Sequence, residues 1–193
     1  MFYRFVVGCI ILSTSTSCFG QTFNLSASAI TTYLPSTPWQ RGVSGGLLWA
    51  DTTGCWLAQA EYGHLEGKAL FKEKGYELRD KTNLITLRIA HGVARKGPQA
   101  LYLGMRADIA RSHRALIGHE LGWLSRSDAS GGGIALSLLW RWRFSRLGSL
   151  HAFVDTGYLY VYDCETMYQA INEHPLGSSF QMVFGLGASI AFL

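Results

Sequence analysis

The chain has 193 residues, 16% of them charged, and a net charge of +4. That is about one domain's length, with less charge than the roughly 25% usual in soluble domains. Its cations are spread out rather than gathered into a basic stripe, which excludes a nucleic-acid surface. Beyond residue 20 no run of about 18 apolar residues occurs, which excludes a helical membrane span.

Residues 1–20 read as an export signal. Arg4 supplies the positive start, residues 5–12 the apolar stretch and residues 13–20 the small, polar cleavage region. Cleavage after Gly20 leaves Gln21 first. A lipoprotein signal ending at Cys18 is the rival, with Ser17 in front of it, although Ser15 stands where a leucine-like residue belongs.

Eight segments then follow with period-two patterning: 23–34, 43–50, 55–65, 83–94, 99–110, 132–144, 150–162 and 179–192. Each is close to the roughly ten residues of a tilted membrane strand. Short connections (51–54, 95–98, 145–149) alternate with long ones (35–42, 66–82, 111–131, 163–178), as tight turns and external loops alternate in an outer-membrane barrel. Segment 132–144 is the clearest. Ile134, Leu136, Leu138, Trp140, Trp142 and Phe144 alternate with Ala135, Ser137, Leu139, Arg141 and Arg143. A strand separates these into an apolar and a small or cationic face, whereas a helix would set arginines among tryptophans. The expected fold is all-β: an eight-stranded antiparallel up-and-down transmembrane barrel over residues 21–193.

Parity sorts the side chains. Leu25, Ile85, Leu87, Ile89, Leu103, Met105, Ile109, Leu186 and Ile190 are expected to face lipid. Aromatic residues of the same parity fall into two belts, as amphipathic rings do at headgroup level. Tyr33, Tyr62, Tyr158, Tyr160, Tyr162 and Phe180 lie at the loop end; Trp56, Trp140, Trp142, Phe144 and Phe192 lie at the turn end. The opposite parity sends Glu61, Arg88, Arg106, Asp108, Arg141, Arg143 and Asp155 inward, with Phe153 and Leu139 as apolar exceptions. An eight-stranded lumen is just wide enough for side chains to fill, and charges buried there need partners. The expected pairs are Glu61–Arg88 and Arg106–Asp155, in a lumen without a continuous water channel. Cys55 and Cys164 fall at opposite ends and are expected to be free thiols.

Several small barrels modify lipids, and such chemistry needs a nucleophile, a histidine base and an orienting acid. The His-x-Ser-Asn run of lipid A deacylases is absent. A loop site from His119, Glu120, His174 and Ser178 is the enzymatic alternative, of lipid A deacylase or acyltransferase type. His113, His119 and Glu120 are the candidate metal ligands. Loop histidines are more often solvated, so neither a metal nor a cofactor is expected. Loop 66–82 mixes Lys68, Lys72, Lys74, Arg79 and Lys81 with Glu66, Glu73, Glu77 and Asp80, while loop 111–131 carries Leu116, Ile117, Leu121, Trp123 and Leu124. These two loops are the expected contact points for lipopolysaccharide or for an external protein or ligand. The former reading is electrostatic; an apolar loop either binds something or folds over the barrel mouth.

The whole mature chain resembles the small outer-membrane proteins of the OmpA and OmpX barrel class. That resemblance implies a Gram-negative outer membrane, surrounding lipid and lipopolysaccharide, and insertion by barrel-assembly machinery that reads a lipid-facing aromatic near the end. Here that aromatic is Phe192, followed by Leu193. A narrower resemblance lies in the order of residues 56–62 (Trp-Leu-Ala-Gln-Ala-Glu-Tyr), Leu103-Gly104, Gly132-Gly133 and residues 184–192, which is similar to the TraO family of conjugative transposons. It implies a role in DNA transfer between cells with no enzymatic residues. The chain departs from that family in its sixth strand, where Leu139, Arg141 and Arg143 replace an acidic residue. The functional expectation is a non-enzymatic barrel that acts structurally or by binding through its loops.

Overall fold

The computed structural model describes residues 22–33, 39–51, 53–71, 75–118, 122–164 and 179–192. The alternating sequence forms eight strands: β1 (Thr22–Tyr33), β2 (Gln40–Ala50), β3 (Trp56–Phe71), β4 (Tyr76–Lys96), β5 (Gln99–Gly118), β6 (Gly122–Arg143), β7 (Gly148–Cys164) and β8 (Ser179–Phe192). Each pairs antiparallel with its chain neighbour, and β8 closes on β1, from Phe23 opposite Phe192 to Tyr33 opposite Met182. Closure leaves no sheet edge within the belt, the condition for crossing lipid with strands. The β4–β5 turn consists of Gly97 and Pro98, with Gly97 at φ 57°, where a first turn position free of Cβ is favoured.

The barrel is inside-out relative to a water-soluble protein. Arg88 is 1% exposed, while Ile109 is 68% exposed. Leu25, Leu87, Ile89, Leu103, Met105, Leu136, Leu186 and Ile190 also point outward. In water this belt would forfeit about 1.5–3 kcal/mol per large apolar side chain; in hydrocarbon it costs nothing. The lumen is layered. Leu48, Leu57, Ala90, Tyr102 and Leu139 close it towards the turn end, and Ile30, Leu65, Leu84 and Ala110 towards the loop end, with charged side chains between. Cys55 is an exposed free thiol at the turn end and Cys164 ends β7 at the other, as their expected separation requires.

Two expected loops are corrected. Strand β3 continues to Phe71, β4 begins at Tyr76, β5 runs to Gly118 and β6 begins at Gly122. Most of 66–82 and 111–131 is therefore strand. Charged residues such as Lys81 and Asp80 stand on both faces of these stretches, and apolar ones such as Leu70 and Leu78 fall on both as well, so the apolar–polar alternation that marks a half-buried strand is missing from the sequence. Pairing of β2 with β3 stops at Gln40–Gly67, and that of β6 with β7 at Ala129–Cys164. Beyond those points β3, β4, β5 and β6 pair only with one another among the described residues, forming a wall that rises over one side of the mouth.

Candidate functional site

A pore or an enclosed active site would have to lie in the lumen, and charge fills it. Arg88 and Arg106 are register neighbours on β4 and β5, two like charges side by side. Asp155 on β7 resolves the repulsion: its Oδ2 accepts from Arg88 Nη2 at 2.7 Å and from Arg106 Nη1 at 2.8 Å. Arg106 Nε donates to Asp108 Oδ1 at 2.7 Å, and Thr86 donates to the same oxygen at 2.8 Å. Arg88 is also bonded to Gln59 and to Ser137, and its guanidinium lies 4.2 Å from the centroid of the Phe153 ring. A cation over an aromatic face is attracted by the ring quadrupole, which gives the apolar exception Phe153 a place in a charged layer.

Two inward expectations are corrected. Glu61 does not meet Arg88. Gln59, two residues away on the same strand face, stands between them, giving its amide N–H to Glu61 Oε1 at 2.7 Å while its oxygen accepts from Arg88. Ser26 and Ser44 complete a nest of neutral donors, each 3.2 Å from a Glu61 oxygen. Arg143 is exposed, because its strand has already passed the turn-end rim. Arg141 is buried but stands apart from the acids: it donates to Ser149 at 3.0 Å and to Asn24 at 3.5 Å, and its Nη1 lacks a partner.

Arg88, Arg106, Asp108, Phe153 and Asp155 are all at most 4% exposed, so no water-wide path crosses their layer. Two cavities in the lumen measure about 30 and 10 Å³, room for one or two waters. Planar bilayers containing the purified protein should therefore show no large unitary conductance. Steps of nanosiemens size would require a different lumen.

One buried arrangement has hydrolase-like members. Ser28 Oγ lies 2.9 Å from His151 Nε2 and donates to Glu61 Oε1 at 3.5 Å. Gly187 sits between them on β8, and a Cβ there would come within 2.5 Å of both side chains. In a catalytic triad, however, the acid orients the histidine. Here Glu61 meets the serine, His151 Nδ1 has no partner, and both Ser28 and His151 are buried. The arrangement therefore lacks the acid–histidine contact of a triad and is closed to solvent. The alternative loop residues His119, Glu120, His174 and Ser178 lie outside the described residues. Among the described residues no three metal-capable side chains converge.

The expected girdles are placed as follows. At the turn end Trp56, Trp142, Phe144 and Phe192 are exposed, and Trp140 is half-buried. At the loop end Tyr62, Tyr158 and Phe180 are exposed, and Tyr33 packs on Trp39 with ring centroids 5.0 Å apart. Trp39 escapes the sequence pattern, since it precedes a strand rather than alternating within one. The side chains of Tyr160 and Tyr162 lie outside those described.

Above Tyr62, Ile85 and Ile109, which stand in one row, the outer face of the wall turns polar within two residues. His64, Asn83 and Arg111 form the next row; Glu66, Lys81, His113 and Asp128 the next; Lys68 and Arg79 follow. Each acid is clasped by cations: Glu77 by Lys68 (2.9 Å) and Arg79, Glu66 by Lys81 (2.9 Å) and His64 (3.4 Å), Asp128 by His113 (2.8 Å) and Arg111 (3.3 Å). On the inner face Arg114 pairs with Asp80 at 3.1 Å, and Thr82 meets Ser112 at 2.7 Å. Hydrogen bonds from Lys81 to Glu66, from Lys68 to Glu77 and from His113 to Asp128 hold these outer carboxyls below their ordinary range. Their folded pKa values lie below the unfolded ones, so the associated stabilisation is present above the ordinary values of 4.5 and 3.8 and lost as pH falls below them. Hydrogen exchange from pH 6 to pH 3, corrected for the intrinsic rate, should show the wall amides of β3–β6 losing protection before the belt amides. Simultaneous loss would break the link to these carboxyls.

No protein-family model matches the chain, and no curated protein matches it in sequence, so the TraO-like motif order stands without a family match. Solved structures do match. Neisserial surface protein A (NspA) is similar with a TM-score of 0.58 and 14% identity, over 90% of this chain and 97% of that one. A major outer membrane protein from Thermus thermophilus gives 0.57 and 14%, over 88% and 99%. Ail, the attachment invasion locus protein of Yersinia pestis, gives 0.53 and 9%, over 89% and 97%. The fold is that of a small outer-membrane barrel. At such identities the likeness carries architecture and no residue roles.

Proposed function

We propose that this protein is a non-enzymatic barrel of a Gram-negative outer membrane, exported by a cleaved signal, that acts as a structural and binding element through its raised wall. One observation carries the reading: a layer of paired charge closes the middle of the lumen, while the described parts of 66–82 and 111–131 build a charged sheet face beyond the lipid belt. A sheet holds recognition groups more precisely than a loop does. Partners at that face are lipopolysaccharide and an external protein or ligand.

Mass spectrometry of lipid A from cells with and without the gene tests the reading. The same acyl pattern is expected in both. A pattern that changes and depends on His119 or His174 would replace it with the lipid-modifying alternative. The motif order shared with TraO supports a narrower role in conjugative transfer, which unchanged transfer frequencies from deletion donors would discard.

A further inference from the structure

We infer that the outer face of the wall is a binding site for the phosphate groups of outer-leaflet glycolipid, built by Lys68, Arg79, Lys81 and Arg111. The inference rests on the outer-membrane reading above and names the partner of that face. Its first support is height. The row His64–Asn83–Arg111 lies two residues beyond the last lipid-facing row, Tyr62–Ile85–Ile109, and two strand residues advance about 7 Å. The cations therefore begin where hydrocarbon ends and headgroup phosphates begin, with Lys81, Lys68 and Arg79 one to two rows higher.

The second support is charge. Arg41, Lys68, Arg79, Lys81 and Arg111 are exposed cations facing three carboxylates, Glu66, Glu77 and Asp128. Glu77 is largely covered by Lys68 and Arg79, whereas Lys68, Lys81 and Arg111 keep 60–65% of their side-chain surface open. The Glu66 and Asp128 pairs are exposed, and exposed ion pairs hold their members weakly, typically by about 0.2–1 kcal/mol. Lys81 and Arg111 can therefore turn to a phosphate oxygen without losing a strong bond, while Lys68 meets it with the ammonium donors that its bond to Glu77 does not use. An arginine then offers a forked pair of donors and a lysine a point charge. The present pairs keep the side chains fanned across the strands in the absence of ligand.

The test uses the full mature chain refolded into phosphatidylcholine nanodiscs, with diphosphorylated lipid A as the probe and native mass spectrometry as the readout. Diphosphorylated lipid A should be retained in preference to the dephosphorylated form. The variant K68Q/R79Q/K81Q/R111Q should bind it about tenfold more weakly, equal to about 1.4 kcal/mol. Because that variant alters packing on the wall, E66Q/D128N is the second arm: freeing Lys81, Arg111 and both histidines should tighten retention several-fold, which a merely structural role would not produce. Equal retention of dephosphorylated lipid A, an unaffected quadruple variant, or stronger binding of a soluble sulfated oligosaccharide than of lipid A would each overturn the inference. A changed acyl pattern in cells would remove the non-enzymatic reading while leaving this binding result standing, so the two failures are separable.

Discussion

Asp155→Ala is expected to destabilise the folded barrel by about 3–5 kcal/mol, the range for removing one partner of a buried ion pair. The wild-type carboxylate serves two guanidinium groups at once, at 2.7 and 2.8 Å. Arg88 would keep Gln59, Ser137 and the Phe153 ring, and Arg106 would keep Asp108. Neither retained set cancels the repulsion between two cations in register. Folding titrations in urea with lipid vesicles, read by the heat-dependent gel shift of folded barrels, measure the change. Replacing all four charges together, as R88M/R106M/D108L/D155L, should recover most of the loss, since Asp108 would otherwise lose Arg106 and apolar side chains of similar volume often substitute for a whole buried cluster at little cost. A D155A cost below about 1 kcal/mol would mean that the charge layer is not what closes the lumen.

Met105→Arg is expected to cost about 2–4 kcal/mol in the same assay, the depth-dependent penalty for arginine on the lipid face near the midplane. Met105 is 59% exposed and lies in register with Ile89 and Leu136, well inside the belt. Ala115→Arg supplies the contrast. It sits on the same strand and the same face five alternations further along, beside Arg79, where arginine meets water and headgroups and should change stability by less than about 1 kcal/mol. Equal costs at the two positions would remove the boundary drawn between belt and wall.

What the sequence disclosed followed from contrast between faces. Strands such as 132–144 set tryptophan and leucine against arginine and serine, so parity alone assigned the lipid side and the lumen. It could not assign height: Arg143 has the right parity, yet β6 has reached the rim by then. Nor could it assign partners across the lumen. Arg88 and Asp155 are 67 positions apart, and which acid reaches which arginine depends on the stagger of the strands and on intervening groups such as Gln59. The wall was hidden for the opposite reason. Lys81 outside and Asp80 inside are both charged, so a strand there leaves no trace in a pattern that separates only apolar from polar residues.

The unequal strand lengths have a consequence for how the molecule meets its surroundings. A rim of even height would look alike from every direction in the plane of the bilayer. Among the described residues four tall neighbours make a parapet on one side, while β1, β2 and β8 end lower, so the strands give the cylinder a front and a back. Anything approaching sideways along the surface meets, among the described residues, a fence of lysine and arginine from one compass bearing, and Tyr33, Trp39 and Phe180 from the other.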